Sequence, residues 1–472
     1  MVKALVILLG LSLVGCGKAA AQAQASPPPA AAAQPRVQDV GTALTTTMLN
    51  CPAKIWPDYN WSNVYAFLKI EGQAPMMWDG QTGKTTVIAD AKTAASVFAF
   101  EGTYEFSNFQ QRPAVAVYFS QDDIKRMPGD EFFQFFIHEG FHRFGQKDWK
   151  EPAEHRRGTV YPLSEVPRLY RRMTFDNLKA YYLSKGKDKT SLGKASFWFA
   201  KWKAEFPEEL ANSMDNIEGT ARYAEFLGPI LAKGGCGMTE DQIYNQTLPL
   251  LGGELGSSFS SADSLSLDDE AYDMGSLAGY TLRFIEKNTA WQARAKVGDS
   301  APVVLFGEVD PIADVIPADL QAQYVDAAKV SNEQVATYLD ADLALLKDPT
   351  ALKIGVDDEN FKGSYSPYGF YLLAEFPNST LVPLALPLTA KMNDGQQFTV
   401  NAGKVRFDEL DESPCDGDST YVVPANSAVT TGTHLVLSGA LQGSTDGVLV
   451  TLPNGQKWFC QTLRAVTPKT GT

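Results

Sequence analysis

Asp130-Glu131-Phe132-Phe133-Gln134-Phe135-Phe136-Ile137-His138-Glu139-Gly140-Phe141-His142-Arg143-Phe144-Gly145 is the stretch where the chain changes period. Before it the pattern is that of strands. Pro113–Ser120 alternates (PAVAVYFS), and Trp78-Asp79-Gly80-Gln81-Thr82-Gly83 reads as a hairpin turn, so about 55–120 is expected to be β-structure. The stretch itself reads as an aromatic-rich helix, entered after Pro128-Gly129, capped by Asp130 and closed by Gly145. Helical patterns follow at about 164–184, 190–206, 207–232, 239–252, 268–287 and 331–348. Strands followed by a run of helices make an α+β domain.

Beyond about 355 the texture changes again. Asn393-Asp394-Gly395 and Asn454-Gly455 are hairpin-type turns, and His434–Leu437 and Val448–Leu452 are short strand candidates. The tail is expected to be a small β-rich domain, a sandwich or partial barrel. The expected organisation is a leader over 1–15, a tether over 16–38, an α+β domain over 39–355 and the β-rich domain over 356–472. A chain of 472 residues has the length for two or three such units. Its net charge of −14, from 41 basic and 55 acidic residues, argues against a duplex nucleic-acid partner and against a polybasic membrane-surface protein.

The N-terminus reads as an address. Lys3 precedes an apolar run, Ala4–Val14, too short to span a bilayer as a mature helix. The run ends Leu13-Val14-Gly15-Cys16, which resembles the bacterial lipoprotein signal-cleavage motif. That resemblance implies cleavage before Cys16, a lipid on Cys16, and a place in the bacterial cell envelope, anchored to the membrane by acyl chains. Gly17 rather than Asp follows, so the inner-membrane retention signal of enterobacteria-like lipoproteins is missing, which favours the outer membrane or periplasmic face. The Ala-, Gln- and Pro-rich residues after Cys16, with Pro27-Pro28-Pro29, read as a tether. In an exported chain the four remaining cysteines can form disulfides. Four cysteines allow three pairings; Cys415–Cys460 within the β-rich tail is preferred, which leaves Cys51–Cys236. Closing the first of these loops stabilises by roughly 4 kcal/mol on a chain-entropy model.

Inside the helix, His138-Glu139-Gly140-Phe141-His142 is an H-E-x-x-H motif, and it holds two of the four histidines in the chain. Residues four apart share a helix face, so both imidazoles can reach one Zn2+ ion. Glu139 lies about 100° around the helix from His138 and about 60° from His142. It can take a proton from water at the metal without being a ligand. The plain alternative is an aromatic helix that buries two hydrogen-bonded histidines. A hydrolytic zinc site needs a third protein ligand. Glu218 is one candidate: on a continuous helix Asp215, Glu218, Arg222 and Glu225 share a stripe about 80° wide. Asp148 is the other, in H-E-x-x-H-x-x-G-x-x-D, which resembles the metzincin pattern with Asp for the third His.

Together, H-E-x-x-H and Glu218-Gly219-Thr220-Ala221-Arg222-Tyr223-Ala224-Glu225 resemble the gluzincin side of the zincin metallopeptidases. The resemblance implies a largely helical zincin-like domain, with His138, His142 and Glu218 as zinc ligands and Glu139 as general base. The family's downstream E-x-x-x-D is not matched, since Arg222 stands where the Asp would fall. Of the two third-ligand candidates Glu218 is preferred. Gln146, at i+4 from His142, Tyr223 and His155 are supporting candidates. Arg156, Arg157, Arg168, Arg171 and Arg172 form a basic group, read as a solvated helix face in preference to a carboxylate-binding patch. The expected function is a lipid-anchored, zinc-dependent peptidase acting on a peptide or protein substrate. The alternative is a non-catalytic envelope lipoprotein whose β-domain is a binding module.

Overall fold

The computed structural model describes residues 37–99, 103–126, 131–150, 158–259, 265–356, 367–385, 387–391, 397–410, 413–417 and 419–463. The leader, Cys16, the tether up to 36, Asp130, His155, Arg156, Arg157 and the Asn393-Asp394-Gly395 turn lie outside these residues. The fold class is α+β. Two compact units are present: one from the described residues of 15–155 and 166–320, the other from those of 156–165 and 321–472.

The first unit opens with α1 (Val37–Leu44) and then a sheet of β1 (Tyr65–Ile70), β2 (Met76–Asp79), β3 (Lys84–Val87), β4 (Tyr104–Phe109) and β5 (Arg112–Phe119). The order is β3-β2-β1-β5-β4, with β1 and β5 parallel and the other pairs antiparallel. The expected turn joins β2 to β3, and Gly83 in it has a φ of 66°. Alternation along β1 and β5 sends Ala66, Leu68, Ile70, Val115, Val117 and Phe119 into the main core. Tyr65, Phe67, Ala114 and Ala116 take the other face. Two short helices interrupt or follow the strands, α2 (Ala91–Val97) and α3 (Gln121–Arg126), ahead of α4 (Glu131–Gly140).

The helical half comprises α5 (Glu165–Leu183), α6 (Lys189–Glu205), α7 (Pro207–Asn212), α8 (Ile217–Gly234), α9 (Glu240–Thr247), α10 (Leu267–Tyr280), α11 (Trp291–Lys296) and α12 (Ala301–Phe306). The expected helix over 207–232 is therefore two. Asp215 explains the break: its carboxylate receives Arg171 through both oxygens, at 2.7 and 3.1 Å, which fixes the turn between α7 and α8. Asn216 is tied to the Ala295 carbonyl at 2.9 Å. The new helix starts from that anchored turn, and its phase sets where Glu218 faces. Against α8 lies α10, and the approach is backbone to backbone. A Cβ on Gly275 would stand 2.2 Å from the Asp215 carbonyl oxygen and 2.7 Å from the Gly219 Cα. Cys236, just past α8, is paired with Cys51, as expected.

In the second unit the helix Ala318–Lys347 runs well ahead of the 331–348 pattern read from the sequence. Two sheets, of eight and five strands, share a core that includes Ile354, Val356, Val400, Tyr421, Leu435, Leu441 and Phe459. The second unit thus holds a sandwich, whose eight-stranded sheet takes in Thr159–Tyr161 and Leu352–Val356 from ahead of the expected tail. Asn454-Gly455 turns the chain between Val448–Thr451 and Lys457–Cys460, and Cys415 pairs with Cys460. Among the described residues no helix is long and apolar enough to cross a membrane.

Gly275→Ala must push α10 off rigid backbone rather than off a mobile side chain. It is expected to destabilise the first unit by about 1–3 kcal/mol. Urea unfolding would measure this; an unchanged midpoint would contradict the close helix contact.

Candidate metal centre

α4 ends in the motif. Gly140 sits against the Trp61 indole, where a Cβ would fall 2.0 Å from the ring, so the residue after Glu139 has room for glycine only. The next turn is wide: Phe141–Gly145 is a π turn, closed by the Gln146 N–H on the Phe141 carbonyl at 2.9 Å. Trp56, Phe141 and Trp149 pack edge to face or tilted beneath it. These contacts fix the frame that carries His138 and His142.

The two rings meet one carboxylate from α8. His138 Nε2 and His142 Nε2 are 3.1 Å apart, and Glu218 Oε2 is 3.2 Å from each. The other nitrogen of each ring is engaged. His138 Nδ1 is 2.8 Å from Glu225 Oε2, and His142 Nδ1 is 2.7 Å from Gln146 Oε1. Both partners accept, so in the neutral rings the proton belongs on Nδ1 and the Nε2 lone pairs point inward. Gln146 is itself fixed, donating from Nε2 to the Ile217 carbonyl at 2.7 Å and to Thr220 Oγ at 2.8 Å. One side chain thus ties the π turn of α4 to the start of α8.

The chemistry and spacing of this donor set suit zinc. Two imidazole nitrogens and a carboxylate oxygen are the ligands of a His2Glu catalytic site. Three tetrahedral ligands at about 2.0–2.1 Å from one ion lie about 3.3 Å apart, close to the triangle observed. Two inward lone pairs and a carboxylate oxygen at such separations repel one another unless positive charge lies between them. The electrostatics state the same need. Burial opposes a charged His138, but its bonds to Glu218 and Glu225 outweigh that and hold its pKa up to about 10. Burial likewise opposes charge on Glu225, yet Arg222, 2.6 Å away, and His138 keep its carboxyl below the usual range. Glu139 is also buried, and burial raises its carboxyl above the usual range despite the two histidines and a hydrogen bond from Tyr104. The His142 side chain is 24% exposed against 4% for His138 and 3% for Glu218, so solvent reaches the group on the His142 side.

Several expectations are corrected here. Asp148 is exposed and stands outside the group formed by His138, His142 and Glu218. Tyr223 lies in the aromatic core between Trp56, Tyr280 and Trp291, and its hydroxyl accepts from Arg283. Asp215 has left the α8 stripe. Arg168 and Arg171 are not a solvated face but are buried. Glu225 keeps its place in the stripe and bonds His138, a contact the spacing alone does not predict. Tyr272 of α10, whose ring stacks on His138 at 5.7 Å and 20°, and Tyr104 of β4 carry no spacing signal at all. No family model, curated protein or solved structure matches the chain.

Removing the acceptor charge behind His138 should weaken the grip on metal without touching the three donors. Glu225→Gln is expected to lower zinc affinity roughly 10–100-fold. Competition with a chelator of known affinity would read it, and an unaltered affinity would count against the arrangement.

Proposed function

We propose that this chain is a zinc-dependent peptidase of the gluzincin-like zincin type, attached to the bacterial envelope through a lipid on Cys16. The observation that carries the reading is the convergence of His138, His142 and Glu218, each ring fixed through its far nitrogen, with an intact Glu139 beside them. His138, His142 and Glu218 would hold Zn2+. The ion would supply Lewis acidity, making water more acidic and a carbonyl more electrophilic.

The protein's own groups account for the rest. Glu139 accepts the proton of the attacking water and returns it to the departing amine. Its burial suits it to this, since a carboxylate raised above its usual range is a stronger base near neutral pH. Tyr104 holds that carboxylate in place. Tyr272, half-buried and stacked on His138, is the side chain placed to donate to the carbonyl oxygen as it gains charge. A peptide or protein substrate approaches from the His142 side, where the centre meets solvent. The acidic balance of the chain fits this better than a nucleic-acid partner. In the competing reading of a non-catalytic lipoprotein, a buried base beside the ligands has no task.

Metal analysis of the purified protein should find one zinc per chain. Glu139→Gln should retain that zinc and lose at least two orders of magnitude in the rate of digestion of a pooled peptide library. Full activity in the variant, or no zinc in the wild type, would defeat the proposal.

A further inference from the structure

Behind the metal-binding residues the first unit buries a second set of charges. Arg168 Nη1 and Arg171 Nε both donate to Glu270 Oε2, at 2.8 and 2.7 Å. Arg168 Nη2 also reaches Glu209, which receives Trp202 Nε1 at 2.7 Å. Arg171 holds Asp215 through two bonds, and its guanidinium lies over the Trp202 ring at 4.6 Å. The five residues are between 1% and 4% exposed, so water does not solvate them. Arg168 Nε is buried without a hydrogen-bond partner.

The charges do not balance. Two guanidiniums face three carboxylates, which leaves one negative charge in surroundings that solvate it poorly. Among the described residues no third cation pairs with these carboxylates. α12 brings only apolar side chains to α10, and the turn Ser257–Phe259 brings no charge. Arg283, in the turn that follows α10, is already engaged by Glu240 and Tyr223. The charged residues of α8 nearest by, Glu218, Arg222 and Glu225, belong to the candidate metal centre. A bound proton restores neutrality. Asp215 has Arg171 on both oxygens, whereas Glu270 takes both of its bonds on Oε2 and keeps Oε1 to carry the proton.

We propose that this cluster is a proton-dependent clamp: with one proton bound it holds the turn before Glu218 onto α5 and α10, and it slackens as alkali removes that proton. Both functional helices depend on it. Glu218 follows Asp215 by three residues, and Tyr272 follows Glu270 by two. Burial supports the assignment, pushing the Glu270 carboxyl up to about 7 against the pull of the two arginines. The sign follows from linkage. A carboxyl that binds its proton more tightly in the folded state lends stability at acid pH and loses it as pH climbs from the usual carboxylate range through about 7. This is opposite to an ordinary ion-paired carboxylate, whose stabilisation is lost in acid. The inference does not require the metal centre to be catalytic.

Thermal unfolding of the full-length protein tests it. From Glu270 alone, the folded-to-unfolded ratio should fall roughly thirtyfold between about pH 5.5 and about pH 8. For a unit of this size that is a drop of about 3–4 °C in Tm. Glu270→Gln should remove most of the fall and leave the variant at least as stable as the wild type at the higher pH. Glu209→Gln, which balances two cations with two anions, should flatten the slope as well, and serves if the first variant does not fold. An infrared difference spectrum between the two pH values should show loss of a buried protonated-carboxyl band in the wild type that is missing from Glu270→Gln or, if that does not fold, from Glu209→Gln. Wild-type slope retained in a folded variant, or no such band, overturns the clamp.

Discussion

Backbone meets backbone where α8 lies on α10, and the geometry of the centre follows from that contact. No side chain separates the helices at Gly219 and Gly275, so α8 is pressed close and its register is set to within a fraction of a turn. Glu218, next to the contact, is thereby turned toward α4 instead of into α10. Tyr272, nearly one turn before Gly275, is carried over the His138 ring. From the other side, Gln146 fastens the π turn to Ile217 and Thr220. The three donor side chains thus come from two helices whose separation is held at both edges. Such positioning on rigid elements keeps the three donor atoms 3.1–3.2 Å from one another.

Charge inside this unit is arranged in two different ways. Around the histidines, Glu139, Glu218 and Glu225 outnumber Arg222, and the excess is focused where donor atoms converge from three side chains. A cation satisfies it, and the upward pull on His138 expresses that demand when a proton is what is present. The Arg168 and Arg171 cluster has an imbalance of the same sign but no convergent set of donor atoms, because guanidiniums and an indole take both oxygens of Asp215 and one each of Glu209 and Glu270. Nothing there is shaped for a metal. Both clusters hold their carboxylates by several charge-assisted bonds, which is what lets acidic groups persist in the interior.

What the sequence made legible was local. His138 and His142 at i and i+4, Gln146 one turn on, and the strand-to-helix change of period all rest on helical or strand geometry, and the structure places them accordingly. Glu218 was within reach because its neighbours resemble a known motif. The misses are tertiary. The stop at Ser213 falls in Asn212-Ser213-Met214-Asp215-Asn216, whose residues favour caps over helix interiors, but nothing local shows that Arg171 holds Asp215 there. Arg168 and Arg171 look like a solvated face until α7, the turn at Asp215 and α10 each bring an acid to them. Tyr223 lies far round the helix from Glu218, and Arg283, 60 residues away in the chain, captures its hydroxyl. Tyr104 and Tyr272 belong to elements whose position beside α4 no local pattern encodes.

The acid that the gluzincin motif, which this stretch resembles, places four residues after its glutamate is an arginine here, and the geometry gives that arginine a task. On a helix, i+4 lies about 40° to one side of the ligand and i+7 about 20° to the other, so both positions look out over the same partner. Glu225 at i+7 supplies the carboxylate for His138 Nδ1. Arg222 then cannot be a second acid without crowding like charges beside Glu218. As a cation it bonds the far oxygen of Glu225 and stacks on Phe226, which keeps that carboxylate ionised in the interior and fixes its angle to the imidazole. One residue supplies the acceptor and the other sustains its charge, so a mismatch in the motif is consistent with a fully supported histidine.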